Sequence, residues 1–345
     1  MSDMKKIKVV TDRRADAIHL YIQALLPYMG TSEIGVELVV LRNDVFRNRY
    51  LNFVLQILNT IKLILKIRRD DVILFTDPLS VNLLASLFIS NKKYTIFYHY
   101  ESDPFYYRFL PSLSYKKVLN NLDGLICISS FSLTQLITLG VSTDKCKVIW
   151  GGVDHLVFKP SSVSNFQFDY VLSIGSEEPR KNMENLLRAF QILLDDYPEL
   201  RLVKIGKTST INRMATLRYV EELNLVDRII FLDFVEEEEL PALYSGARLL
   251  LFPSLLEGLG MPILEAMACG CPVVTSNRNP MAELVDSEDL TANPKNPIDI
   301  AKVCNLILLN ESNRNAIIDE GLARSNQFTW QSTAQQIFEF VTSKN

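Results

Sequence analysis

Short runs of β-branched and aromatic residues recur along the chain, and each is followed by apolar positions at helical spacing. In the first half the runs are KIKVV (6–10), VELVVL (36–41), DVILFT (71–76), YTIFYHY (94–100), GLICIS (124–129) and KVIW (147–150). In the second half they are YVLSIG (170–175), RLVKIG (201–206), IIFLDF (229–234), ARLLLFP (247–253) and PVVTS (272–276). Strands that are apolar almost throughout, alternating with amphipathic helices, predict α/β architecture with parallel sheets covered on both faces. Two such series predict two Rossmann-like domains. The polar stretch KPSSVSNFQ (159–167) is the expected linker, giving a first domain over 1–160 and a second over 161–330. The closing helix, 331–345, is expected to pack back on the first domain. Ligands of such sheets bind beyond the carboxyl ends of the strands, so two facing domains would place a site in the cleft between them.

One segment departs from this alternation. FRNRYLNFVLQILNTIKLILKIRR (46–69) holds Arg47, Arg49, Lys62, Lys66, Arg68 and Arg69 and no acidic residue. A basic amphipathic helix of this kind fits the surface of an anionic membrane. A crossover helix with one solvated face explains it equally well. No apolar run reaches the roughly 18–20 residues of a membrane span. The opening MSDMKKIKVV lacks the anatomy of a signal peptide. Five cysteines, with no CxxC pair and no Cys/His cluster, argue against a zinc site or a disulfide framework and fit a cytoplasmic protein, with peripheral contact on the inner membrane face if the 46–69 helix docks there. Cys269 and Cys271, around Gly270, read as small buried apolar residues. A net charge of −4 lowers the ranking of nucleic acid as a partner.

The strongest candidate chemistry is FPSLLEGLGMPILEAMACGCPVVTS (252–276). A strand runs into a loop carrying Glu257, Gly258, Leu259 and Gly260; Pro262 then sits where a helix would begin, and Gly270 ends it. Strand, glycine loop and helix together offer backbone N–H groups to an anion. Glu265 is expected in the first turn of that helix, where it could bind ribose hydroxyls. Taken singly, each glutamate reads more simply as a solvated charge favoured near a helix N-terminus. The second candidate is Glu178-Pro179-Arg180-Lys181-Asn182, directly after the strand YVLSIG. Here Asn182 is the expected N-cap, and Arg180 and Lys181 stand at a helix N-terminus, suited to a diphosphate.

The string EGLGMPILEAMACGCPVV resembles the retaining, GT-B-fold glycosyltransferases of family four, whose hallmark is two glutamates separated by seven residues, here Glu257 and Glu265. GSEEPRKNMENLLRAF (175–190) is similar to that family's phosphate-binding segment, ELPALYSGARLLLFPS (239–254) to its approach to the glutamates, GGVDHLVFKP (151–160) to its interdomain segment, and FTWQSTAQQIFEF (328–340) to its closing helix. The resemblance spans about 125–340; the first 120 residues match only in pattern. It implies a retaining transfer of a hexosyl group from a nucleoside-diphosphate sugar to a glycan or lipid-linked glycan in surface polysaccharide synthesis. Glu257 and His99 would be the catalytic residues, and Arg180, Lys181, Gly206, Asp233, Gly258, Leu259, Gly260, Met261 and Glu265 would bind the donor.

Several positions depart from the resemblance. Ser176 stands where relatives carry an arginine, which shifts phosphate neutralisation onto Lys181. Tyr100 follows His99 where an aspartate is usual, with Glu101 one place later, and a structural histidine stays an equal reading; His19 and His155 have weaker claims. TDRRADAIH (11–19) lacks the glycine-rich turn after the first strand. Asp233 replaces a glycine near the nucleobase, and its carboxylate could accept from guanine N1 and N2, which favours GDP-mannose, with UDP and dTDP open. Tyr106, Tyr107 and Phe109 offer aromatic surface for sugar stacking or for ordinary packing. No D-x-D triplet is present to hold a divalent ion on the diphosphate, so no metal and no cofactor beyond the nucleotide sugar is expected. The competing readings are a nucleotide-sugar epimerase on the same fold and a non-catalytic sugar-nucleotide or glycan-binding protein.

Overall fold

The computed structural model describes residues 6–12, 17–30, 34–41, 49–76, 81–98, 115–163 and 166–343. The chain divides into two compact units, 1–152 with 330–345, and 153–329. Among the described residues each unit is built on one six-stranded sheet with every pairing parallel.

In the first unit the strands are β1 (Lys6–Asp12), β2 (Gly35–Leu41), β3 (Val72–Phe75), β4 (Lys93–Phe97), β5 (Gly124–Cys127) and β6 (Cys146–Val148), in the order β2-β1-β3-β4-β5-β6. Helices α1 (Ala17–Leu25), α2 (Arg49–Lys66), α3 (Tyr115–Asn120) and α4 (Ser130–Thr138) run between them. The central strands are buried from end to end, as Val72–Phe75 and Gly124–Cys127 show. Ile73, Phe75, Phe97, Leu125 and Cys127 join Leu63 of α2 and Leu119 of α3 in one core.

In the second unit the elements are β7 (Tyr170–Ile174), α5 (Met183–Asp196), β8 (Arg201–Ile205), α6 (Thr210–Glu222), β9 (Ile229–Leu232), α7 (Leu240–Ser245), β10 (Leu249–Phe252), α8 (Met261–Ala268), β11 (Val273–Ser276), α9 (Met281–Val285), β12 (Thr291–Ala292), α10 (Pro297–Leu308) and α11 (Glu311–Ser325). The strand order is β12-β11-β10-β7-β8-β9. Read from its other edge this is the doubly wound arrangement in which chain direction reverses beside the first strand, here between β7 and β10. A ligand site in such a sheet is expected at the carboxyl ends of those two strands.

The last helix, α12 (Trp330–Ser343), belongs to the first unit. Trp330 stands edge-on to Tyr21 at 4.8 Å between ring centres, and Phe340 edge-on to Tyr94 at 5.7 Å. Thr333 Oγ1 donates to Trp150 O at 2.7 Å. A Cβ on Gly124 would come within 2.8 Å of both Phe340 and Tyr94, so a glycine in β5 is what lets the helix approach the sheet. Thr11, at the end of β1, is buried, whereas 13–16 of the TDRRADAIH turn lie outside the described residues.

Candidate functional site

Beyond β7 the chain must turn sharply. Gly175 has φ +133° and Gly206, beyond β8, has φ +129°. A Cβ on Gly206 would lie 2.3 Å from Gly175 O, so only a glycine lets these two strand ends touch. Into the space over Gly175 comes the side chain of Lys181, whose Cε and Nζ would stand 3.3 and 3.4 Å from a Cβ placed there. Lys181 is carried on a short 3-10 turn, Pro179–Lys181, that precedes α5.

Asn182 is the N-cap of α5, but its side chain does not cap it. It adopts φ +61° and its Nδ2 donates instead to Pro253 O at 2.9 Å and Pro294 O at 2.6 Å. The expected N-cap is thus a strut that ties the turn after β7 to the loop after β10. Leu255 N, donating to Arg180 O at 2.7 Å, closes the same junction.

The two candidate segments therefore converge. Lys181 Nζ donates to Glu257 Oε1 at 2.6 Å and Arg180 Nη1 to Glu257 Oε2 at 3.0 Å. Glu257 is only 8 % exposed, so a nearly buried carboxylate is held by two cations. Arg180 Nε also donates to Glu178 Oε2 at 2.8 Å. Burial lowers the Lys181 pKa, and the Glu257 charge and hydrogen bond oppose that shift. Lys181 Nζ lies 4.8 Å from the centre of the Phe252 ring, on the last residue of β10.

Gly260, with φ +102°, is the N-cap of α8, and Met261 and Pro262 open the helix, where a proline has no N–H to leave unpaired. Leu259 is buried. Glu265 is not in the first turn of α8, as the sequence reading places it, because Met261 rather than a later residue starts the helix. Glu265 Oε2 accepts from Tyr244 Oη at 2.7 Å, which binds α8 to α7. Desolvation pushes the Glu265 pKa up to about 7, against the lowering effect of the Tyr244 hydrogen bond, and the Glu237 charge adds to the rise.

Two features at this end of the sheet were not anticipated. The first is Lys204, in β8 and 1 % exposed; its Nζ donates to Gly175 O and, at 2.9 Å, to Ile205 O. Burial pushes its pKa down to about 8, with Glu177 opposing and Arg213 and Lys181 reinforcing. A small pocket is lined by Ser173, Ser176, Lys181, Lys204, Phe252 and Ser254, so two lysines border it beside the serine that stands in the place of an arginine. The signal was a lysine between Val203 and Ile205 in the run RLVKIG, since lysine is almost never fully buried unless paired. The second is a carboxylate–guanidinium–carboxylate row. Arg213 Nη2 lies 2.8 Å from Glu177 Oε1 and 2.9 Å from Asp233 Oδ1. Asp233 remains 71 % exposed, while the Glu177 side chain is fully buried with Oε2 unpartnered.

His99, Tyr100, Glu101, Tyr106, Tyr107 and Phe109 lie outside the described residues. Cys269 and Cys271 are buried free thiols whose pKa values burial raises, as small apolar residues would be. Among the described residues no group of three or more carboxylate, thiol or imidazole side chains is placed to hold a metal ion.

The two-sheet architecture is that of GT-B glycosyltransferases, and residues 158–324, most of the second unit, match the family described as Glycosyl transferases group 1. The chain is 37% identical over 168 residues, 48% of its length, to the O-antigen chain mannosyltransferase B of Escherichia coli, of which the match covers 44%. It is 35% identical over 179 residues, 50% of its length, to the serotype-specific mannosyltransferase WbdA of Escherichia coli, covering 22% of that protein. The chain thus spans less than half the length of these curated relatives. Among solved structures, Anabaena HepE in complex with UDP and glucose aligns over 98% of this chain and 100% of its own with a TM-score of 0.80 at 20% identity.

Proposed function

We propose that the chain is a glycosyltransferase that moves a mannosyl group from GDP-mannose to a hydroxyl of a growing surface glycan, free or lipid-linked, with retention of configuration and without a metal ion. One observation carries the reading: the cationic turn after β7 and the acidic loop after β10 meet on Glu257 at the carboxyl ends of the two strands where the sheet reverses. The relatives named as mannosyltransferases support the sugar.

In this reading the donor diphosphate sits on Lys181 and Arg180, against the backbone of Gly258, Leu259, Gly260 and Met261 at the start of α8. Lys204, beside Gly175 and Gly206, supplies the second buried cation that Ser176 does not. Charge-assisted hydrogen bonds contribute about 1.5–3 kcal/mol each, so a few of them can carry the charge that a divalent ion would otherwise neutralise. Diphosphate binding draws the two cations from Glu257, whose carboxylate then meets the sugar hydroxyls and the positive charge that develops at the anomeric carbon. The anomeric carbon–oxygen bond breaks as the acceptor oxygen attacks from the same face, and the departing phosphate oxygen takes the acceptor proton. Glu265, held on one oxygen by Tyr244, binds ribose through the other. Asp233 is exposed enough to accept from guanine. His99 is assigned to the donor sugar or the acceptor.

The test is a thermal-melting panel with GDP, UDP, dTDP and ADP, followed by transfer assays with the matching mannose or glucose donors, with and without EDTA. At a hundred times its dissociation constant a ligand adds about 2.7 kcal/mol of stability. GDP should give the largest shift, and transfer should survive EDTA. A chain that none of the four nucleotides stabilises is not such an enzyme.

A further inference from the structure

Helix α2 lies in the first unit, far in sequence from the donor site, and it carries apolar residues on both its core side and its outer side. The side turned to the core carries Leu63 and Ile64 but also the buried polar residues Gln56 and Thr60; Thr60 Oγ1 returns a hydrogen bond to Gln56 O at 2.8 Å. The opposite side is apolar and faces solvent. Val54, Leu58, Ile61 and Leu65 recur at spacings of three and four residues and form one stripe, with Ile57 at its margin. Leu65 is 80% exposed and Leu58 50%. A helix whose only task is to cover a sheet buries its apolar stripe and leaves its polar side to water. Here leucines stand in solvent while a glutamine is buried, so the outer stripe calls for an apolar occupant that the described chain does not supply.

The charge beside the stripe selects the occupant. Lys62 and Lys66 flank it and are exposed, and Arg68 and Arg69 follow at the end of the helix, also exposed. Residues 46–69 contain no acidic side chain. Lysines bordering exposed leucines can hold their ammonium groups among anionic headgroups while the leucines enter the acyl boundary. A protein partner would have to be both apolar and strongly acidic to satisfy the same face. Among the described residues no helix is long and apolar enough to cross a membrane.

We propose that the outer face of α2 is a docking surface for an anionic lipid bilayer, bound in the plane of the interface through Val54, Leu58, Ile61 and Leu65 and steered by Lys62, Lys66, Arg68 and Arg69. The proposal stands apart from the donor reading, because it rests on the other unit and is read by vesicle binding rather than by nucleotide.

Co-sedimentation of the full chain with vesicles of phosphatidylcholine, alone or mixed with phosphatidylglycerol, tests it. Each basic residue near an anionic surface adds about a fivefold factor in partitioning. The wild type should bind the mixed vesicles, bind phosphatidylcholine at least about tenfold more weakly, and be released by high salt. Lys62→Glu/Lys66→Glu should lose most of the binding by charge, and Leu58→Glu/Leu65→Glu should lose it at unchanged basic charge. Both pairs alter exposed side chains, so melting temperature and the nucleotide-induced shift should match the wild type. Absence of wild-type binding, or equal binding to both vesicles, overturns the proposal. So does a dimer in light scattering that Leu58→Glu/Leu65→Glu converts to monomer, since a second copy would then be the occupant.

Discussion

Three side chains carry the donor reading. Lys181 is the cation closest to Glu257 and reaches over Gly175, where a diphosphate would meet it. Lys181→Ala should lower transfer by about two to three orders of magnitude, as loss of a preorganised donor does. A transfer rate within a few-fold of wild type would remove it from the site. Glu257 holds both cations, so it competes with the diphosphate that the proposed reading places on them. Glu257→Gln should therefore abolish most turnover while tightening GDP, and calorimetry that finds GDP weakened would contradict the competition. Lys204 is a buried ammonium whose hydrogen-bond acceptors are backbone carbonyls, and its pKa of about 8 marks the cost of keeping it charged. Folding releases its proton between about pH 8 and 10.5, so the protein gains stability as pH rises through that range. Lys204→Met should raise the melting temperature at pH 7, with the gain fading toward pH 10, while weakening GDP about ten- to a hundredfold. A variant less stable than wild type and with full GDP affinity would make Lys204 a structural residue.

At the scale of elements, α7 and α8 are joined by Tyr244 and Glu265. The folded Glu265 carboxyl titrates near 7, above its ordinary 4.5, so the fold binds this proton more tightly than the unfolded chain does. Its contribution to stability is full below about pH 4.5 and is lost as pH rises through 7. Melting temperature should fall between pH 5 and 7.5 in part through this group, and Glu265→Gln should flatten that slope; an unchanged slope would assign the dependence elsewhere. The elements were largely legible, because buried parallel strands announce themselves as apolar runs. YVLSIG, RLVKIG and ARLLLFP became β7, β8 and β10, and the loops after β7 and β10 were found by their glycines and charges. β12, two residues long, has no such run and was missed. Helix starts were legible less finely: Glu265 fell beyond the first turn, and Asn182 turned its amide to two carbonyls instead of to its own helix. Contacts between residues distant in sequence, such as Arg213 with Glu177 and Asp233, leave no periodic trace and needed the fold. The apolar content of α2 was plain, but which side faces the core depends on the Val81–Leu87 segment it packs against, and the sequence left that open.

For the whole molecule, the first unit is discontinuous: the chain leaves it at Gly152 and re-enters it at Trp330. The two crossings run side by side, with Val153 N donating to Phe328 O at 3.1 Å. Phe340 fills the space that Gly124 leaves open, so Phe340→Ala should destabilise the first unit by about 3–5 kcal/mol. In differential scanning calorimetry the loss should appear in the transition that GDP does not shift. A fall confined to the GDP-sensitive transition would place the helix with the other unit.

That arrangement also sets an order of events on the ribosome. The second unit is complete once translation passes residue 329, whereas the first unit, begun earlier, lacks α12 until residue 343 has been added. Until then the surfaces of Tyr21, Tyr94 and Gly124 that the helix covers stay open in the nascent chain. The later-made unit is thus the first able to fold, and a chain stalled or nicked before α12 would damage the unit whose strands were synthesised earliest.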